Sequence, residues 1–381
     1  MTNVLMPAGS LGRAFQHTTT SYKYLFFKAI LDACGVTEGG PSRREFTLKE
    51  VYLRAIAVAW FPTNTFHLSL GSQDRVAHHI QDLKSALQLE PAEIPAAKEL
   101  IQRLEGLRDD SRIKDIFRQM DSYVRFRFLT PWLTEQLRGV PDGSRNRAIL
   151  KLVQEEAGLP MDQRKLPYHF KTRNQEECIE LQPWFLEYLE ANAVLVYDWW
   201  RWNFACYLQD RNPLCPGIVH KLERPESRNL TLHRALWKSR IRQQGAVRCL
   251  YSGQILEKDF DLDHFIPWSY LLHDKLWNIH PCLPEANRSK SDKLPSLDLY
   301  LANFIKAQAA AVQDIPVLTD SRQKREAIKA EYELSPAINL LELAHTDRSG
   351  FKDALEQSIV RLWESARQQG YTANWTYSSA S

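Results

Sequence analysis

The sequence predicts a mainly α-helical protein of many helices, with one short β-containing module set among them. Three observations predict it. Apolar residues recur three and four apart over most of the chain. Pro and Gly punctuate these stretches where a helix would lose its N–H donors or gain φ freedom. One segment, Arg248 to His264, breaks the rhythm with two short β-prone runs around Ser252-Gly253, the pattern of a hairpin and the one good strand signal in the chain.

Between residues 19 and 208 the periodicity marks helices in SYKYLFFKAILDAC, LKEVYLRAIAVAW, QDRVAHHIQDLKSALQL, AAKELIQRLEGL and SRIKDIFRQMDSYVRFRFL. Breaks fall at Gly39-Gly40-Pro41, Pro62, Pro91 to Pro95, Pro131 and Pro141-Asp142-Gly143. Ala191 to Leu208 is the most apolar stretch, but Asp198 and Arg201 inside it point to a buried helix rather than a membrane span. Its aromatic residues read as core, with Trp199 and Trp202 three apart. LCPGIVHKLERPES, from Leu214, lacks helical period and reads as a domain border. Helical patterns return after Pro295 in LDLYLANFIKAQAAAVQ, REAIKAEYEL, AINLLELA and GFKDALEQSIVRLWESARQQ, and the tail YTANWTYSSAS reads as frayed. The expected organisation is a helical domain over 1–215, the β-containing module with a basic lead-in helix over 216–310, and a helical region over 311–381.

At 381 residues the chain is long enough to bury cores without metal or disulfide staples. Hydrophobic residues at 44% and charged residues at 25% exclude a disordered or fibrous chain. Forty-nine Lys and Arg against 46 Asp and Glu leave a net charge of +3, so any polyanion footprint must be local. Six scattered cysteines form no C-x-x-C pair, which argues against a zinc ribbon and for reduced thiols in a cytoplasm. The N-terminal segment has no secretory h-region, and a membrane location is not expected.

The informative block is Cys249 to Pro295, CLYSGQILEKDFDLDHFIPWSYLLHDKLWNIHPCLPEANRSKSDKLP. It holds Asp263-His264, Asn278 fourteen residues after the histidine, and Asn287 nine further on, followed by Lys290-Ser291-Asp292. This block resembles the HNH nuclease motif, also called the ββα-metal or His-Me finger. In these spacings and in the CLYSG turn it is most similar to the HNH domain of CRISPR RNA-guided effector nucleases. The resemblance covers about 50 residues of the chain. No arginine-rich bridge helix or RuvC-like segment accompanies it, so the nuclease module alone is shared. Six fixed residues at these positions recur by chance on the order of 10⁻⁵ per chain.

Phosphodiester hydrolysis needs an activated water, neutralised phosphoryl charge and help for the leaving oxygen. His264 suits the general base, because an imidazole is largely neutral at cytoplasmic pH. Asp263 and Asn287 offer hard oxygen ligands that suit one Mg²⁺, with Mn²⁺ as a substitute. If Asp263 and His264 end a strand, their side chains leave on opposite sides. By resemblance, Asn278 fixes the loop whose backbone carbonyl orients the imidazole. Many relatives carry histidine where Asn287 stands, and this chain departs as the RNA-guided effectors do. The resemblance implies 5′-phosphate and 3′-hydroxyl ends, and one site per chain implies nicking.

Around this block, Lys221 to Arg248 carries eight basic residues against Glu223 and Glu226. Arg234, Lys238 and Arg242 form one helical stripe able to track DNA phosphates, or simply a solvated face. Arg288, Lys290 and Lys293 are DNA-contact candidates beside Asn287. Asp259, Asp261 and Asp263 alternate, but no calcium loop follows because Gly and Glu are absent at its sixth and twelfth positions; Asp259 and Asp261 read as solvated. His273 and His280 read as surface or satisfied groups, Cys249 and Cys282 as small buried hydrophobes, and Trp268 and Trp277 as module packing. The SYKYLFFKAILDAC opening together with the HNH block is similar to Zorya-type anti-phage effectors, which implies partners within a defence system. The expected function is a Mg²⁺-dependent DNA endonuclease. The rivals are a non-catalytic DNA- or partner-binding protein with a relic HNH fold and a ribonuclease of the same fold.

Overall fold

The periodic stretches fold as helices wherever an apolar stripe finds a core. In the computed structural model, which describes residues 6–36, 42–89, 95–224, 228–245, 247–256, 259–313, 315 and 322–378, the chain is mainly α-helical. Gly39-Gly40-Pro41 and residues 91–94 of the expected breaks lie outside the described residues. Two compact units form, one from Met1–Pro213 with Ile218–Arg224, the other from Leu214–Gly217 with Pro225–Ser381. The chain passes between them inside the segment read as a border.

In the first unit, helices Tyr22–Cys34 and Leu48–Trp60 bury Leu25, Phe26, Phe27, Val51 and Ile56 completely. Each such side chain withdrawn from water contributes about 1.5–3 kcal/mol. Thr47 starts the second helix: its side chain accepts from the Glu50 N–H, and Glu50 returns the bond. The helix Ala193–Arg211 is only half buried. Trp200 is its core residue, donating its indole N–H to the Tyr24 carbonyl at 2.9 Å, whereas Trp202 is 68% exposed and Val194 and Leu195 also face water. The expected Trp199–Trp202 core holds at Trp199, which stacks on Phe15 at 4.6 Å and meets Phe27 edge-on, and is corrected at Trp202, which lies on the outer face.

A three-stranded antiparallel sheet in this unit corrects the expectation of a single strand signal. Strands β1 (Glu45–Thr47), β2 (Tyr168–Arg173) and β3 (Glu176–Leu181) pair in the order β1-β3-β2. Asn174 and Gln175, with φ of 50° and 64°, make the two-residue turn between β2 and β3, whose handedness suits twisted strands.

The second unit is built around the module. Strands β4 (Asp261–His264) and β5 (Ile279–Cys282) pair antiparallel and are followed by the helix Pro284–Lys290. The run Arg248 to His264 is not one hairpin. Arg248 and Ile255 form a single bridge around a turn in which Gly253 takes φ +73°, and the strand Asp261–His264 pairs with the later β5. Phe265 stacks on Phe304 at 4.3 Å, placing the helix Leu297–Gln313 under the strands. Helix Arg348–Gln368 adds Leu355, Ile359 and Trp363 to the same core. The described part of the tail, residues 371–378, is not frayed. Trp375 donates its backbone N–H to Leu294, its carbonyl accepts from Ser296, and its ring meets Tyr251 edge-on at 4.9 Å.

Candidate active site: a two-faced strand

Strand β4 sorts the reactive side chains by alternation. Asp261 and Asp263, two residues apart, share one face, and His264 lies on the other. Asp263 stands opposite His280 of β5 in the strand register, so both project to the same side.

The helix Pro284–Lys290 meets the acidic face through residues three apart. Asn287 donates its amide N–H to Asp261 Oδ2 at 3.1 Å, and Lys290 places its ammonium 3.1 Å from Asp263 Oδ1. The same ammonium donates to the His264 carbonyl at 2.8 Å. Tyr251 donates its hydroxyl to Asp263 Oδ2 at 2.5 Å, and His280 Nε2 lies 3.5 Å from that oxygen. Burial alone would raise the Asp263 carboxyl, but the Lys290 cation and the His280 bond outweigh it and hold the group below the usual carboxylate range. The Tyr251 hydroxyl is pushed far up, first by burial and then by that carboxylate.

On the opposite face His264 is buried, and its Nε2 lies 2.8 Å from Asp274 Oδ1. Burial lowers the imidazole pKa; Asp274 pulls it up and Arg228 pushes it down, leaving it below its ordinary value. Arg228 lies over the Trp268 ring at 4.9 Å. His273 packs edge-on against Trp277, and burial followed by repulsion from His264 brings it to about 4.

Asn278 is fully buried and grips Ile266 at both ends. Its Oδ1 accepts the Ile266 N–H and its Nδ2 donates to the Ile266 carbonyl, each at 2.9 Å. It ties down the loop leaving His264, and the imidazole's own partner is the Asp274 carboxylate rather than the backbone carbonyl that the resemblance implied.

Several expectations are corrected here. Lys290 does not face DNA: its side chain is 0% exposed and neutralises Asp263, since an unpaired charge there would be costly to bury. Asn287 hydrogen-bonds to Asp261, not Asp263, so Asp261 is a partnered, half-buried side chain rather than a fully solvated one; the i, i+2 spacing on a strand was its signal. His280 is a buried β5 residue bonded to Tyr251 and close to Asp263. Arg234 is half-buried, with its guanidinium 3.0 Å from the Phe260 carbonyl. Of the other DNA-contact candidates Lys238, Arg242 and Arg288 are exposed, while Lys293 is half-buried and donates to the Ser289 carbonyl. Cys249 and Cys282 are buried and Trp277 packs inside the module, both as expected.

Strand β4 thus carries an amide-bonded carboxylate and a second carboxylate on one face and a carboxylate-bonded histidine on the other. Residues 249–296 match the HNH endonuclease family model. This match supports a nuclease, a hydrolase acting on phosphodiester bonds, and nucleic-acid binding. No curated protein and no solved structure matches the chain. Among the described residues no helix is long and apolar enough to cross a membrane.

The HNH face fits a hard divalent cation through mixed donors. Among the described residues no three His, Cys, Asp or Glu side chains gather as a metal cluster. The carboxylates of Asp261 and Asp263 nevertheless share one face of β4, and the Asn287 side chain reaches Asp261 from the facing helix, two anionic groups and one neutral amide. Lys290 and Tyr251 each take one of the roughly four lone-pair directions of Asp263, leaving capacity for a further bond.

Proposed function

We propose that this protein is a metal-dependent HNH endonuclease that hydrolyses DNA phosphodiester bonds, nicks one strand per site, and serves as an effector of anti-phage defence. The observation that carries the reading is the division of strand β4, with a buried histidine on one face and an oxygen-donor set on the other.

In this reading His264 takes the proton of the attacking water. Asp263 and Asn287 hold the cation, Mg²⁺ or Mn²⁺, with Asp261 beside them. The bound cation would neutralise phosphoryl charge and stabilise the departing 3′ oxygen. Lys290 keeps Asp263 ionised and aimed, and its bond to the His264 carbonyl ties the two faces to one strand end. Asn278 holds the loop that follows. Arg288 and Lys238, both exposed, supply sequence-independent phosphate contacts.

The test incubates supercoiled plasmid, linear duplex and RNA with Mg²⁺ and with EDTA, using wild type and His264→Ala. Open-circle product from wild type with Mg²⁺ alone is expected. Equal cleavage by His264→Ala overturns the role of the histidine, preferential RNA cleavage overturns the DNA reading, and no metal-dependent cleavage overturns the enzyme reading.

A further inference from the structure

Ten residues after His264, a loop carboxylate that sequence reasoning assigned no role makes the sole side-chain hydrogen bond to the imidazole among the described residues. Asp274 Oδ1 lies 2.8 Å from His264 Nε2. The carboxylate is itself braced. His233, from the helix Thr231–Gln244, bonds the Asp274 backbone carbonyl, and the neighbouring Lys275 donates to the Ala330 carbonyl at 2.7 Å. Leu272, with φ +59°, turns the chain into this loop.

An ionised carboxylate only accepts hydrogen bonds. Burial would raise the Asp274 carboxyl, but the His264 bond, Arg228 and His233 bring it below its ordinary value, so it is ionised near neutrality. The hydrogen shared across the 2.8 Å contact therefore sits on Nε2. In a neutral imidazole the other nitrogen then carries the bare lone pair. Among the described residues no hydrogen-bond partner stands at Nδ1.

We propose that Asp274 is a positioning residue that holds His264 in its Nε2–H form, so that Nδ1 is the atom that takes the proton from the attacking water. The role assigned to Nδ1 rests on the nuclease reading; the proton placement does not. The proton passes from water to Nδ1, the new bond forms between the water oxygen and phosphorus, and the bond to the 3′ oxygen breaks with its electron pair left on that oxygen, which takes a proton from solvent. Asp274 accepts no proton and balances the imidazolium that forms. Wrong-tautomer substitutions in a comparable carboxylate–histidine pair cost about 10⁴-fold in turnover, and general-base catalysis contributes about 10²–10⁴-fold.

The experiment reads the proton and the turnover separately. Nitrogen NMR of the full chain labelled in its histidines, with His264 assigned by its disappearance in His264→Gln, is expected to show Nε2 protonated and Nδ1 bare. Asp274→Ala is expected to mix the tautomers and lower kcat for plasmid nicking by about 10²-fold or more with little change in KM, and Asp274→Glu to return the proton to Nε2 and part of the rate. A proton on Nδ1 in the wild type, or an unchanged tautomer in Asp274→Ala, overturns the proposal without reliance on any variant's activity. Nε2 protonation in a wild type that cleaves nothing supports the positioning and overturns the nuclease reading alone.

Discussion

Lys290 and Asp263 form a buried ion pair whose removal from one side is expected to be far costlier than removal from both. At 3.1 Å and an effective dielectric of about 20, the attraction is about 5 kcal/mol. Lys290→Met keeps the apolar stem, deletes the charge, and leaves a carboxylate 5% exposed with only Tyr251 and His280 to answer it. The expected cost is about 3–5 kcal/mol. Asp263→Asn strands the ammonium and costs a similar amount. The double variant removes both charges and is expected to be more stable than the sum of the singles by about 2–3 kcal/mol. Hydrogen exchange of the full chain, followed in peptides spanning 259–300, reads these changes in the unit concerned. Additivity within about 0.5 kcal/mol, or a Lys290→Met variant as protected as wild type, would refute the pairing.

Other predictions follow from single contacts. Asn278→Ala leaves the Ile266 N–H and carbonyl buried without partners, so a loss of about 2–5 kcal/mol is expected in the same exchange measurement, and unchanged protection at 265–267 would contradict the double grip. His169, 2% exposed, is brought to about 4, first by burial and then by Arg164, with Lys171 acting the same way and Glu180 opposing. Glu156 stands 3.9 Å from its Nε2. Because the unfolded chain binds the proton more readily, this group's stabilisation is present above pH 6.5 and is lost as pH falls towards 4, up to about 3 kcal/mol. Thermal midpoints at pH 7.5 and 5 are expected to fall less in His169→Gln than in wild type, and equal falls would exclude His169 as the cause. Trp375→Ala removes a buried indole packed on Tyr251 and is expected to cost about 3–5 kcal/mol, with faster exchange at 294–300.

What the sequence disclosed depended on how far the deciding contact lay along the chain. Helices such as Tyr22–Cys34 and Leu297–Gln313 announce themselves because their apolar stripes are local. Asp263, His264, Asn278 and Asn287 were legible as residue types at fixed spacings. Their partners were not: Lys290 became a buried counter-ion because the helix Pro284–Lys290 happens to meet β4 face to face, and Asp274 became the histidine's partner because His233, forty-one residues earlier, braces its loop. The sheet of β1, β2 and β3 escaped notice because β1 is three residues long and pairs with a strand far along the chain. Its local signal, the Asn174-Gln175 turn between alternating residues, resembles an ordinary loop. The tail, polar and terminal, looked loose until the bonds between Trp375 and Leu294 and Ser296 gave it a place.

That tail decides how portable the nuclease segment is. Leu294 and Ser296, at the end of the matched segment, are clasped by Thr372 and Trp375, and the Trp363 indole donates to Pro295 between them. During translation, at about 5–20 residues per second, His264 leaves the ribosome several seconds before Trp375 exists. Strand β4 thus waits for its last wall, and a chimera that transplants only residues 249–296 would carry the matched segment without the masonry.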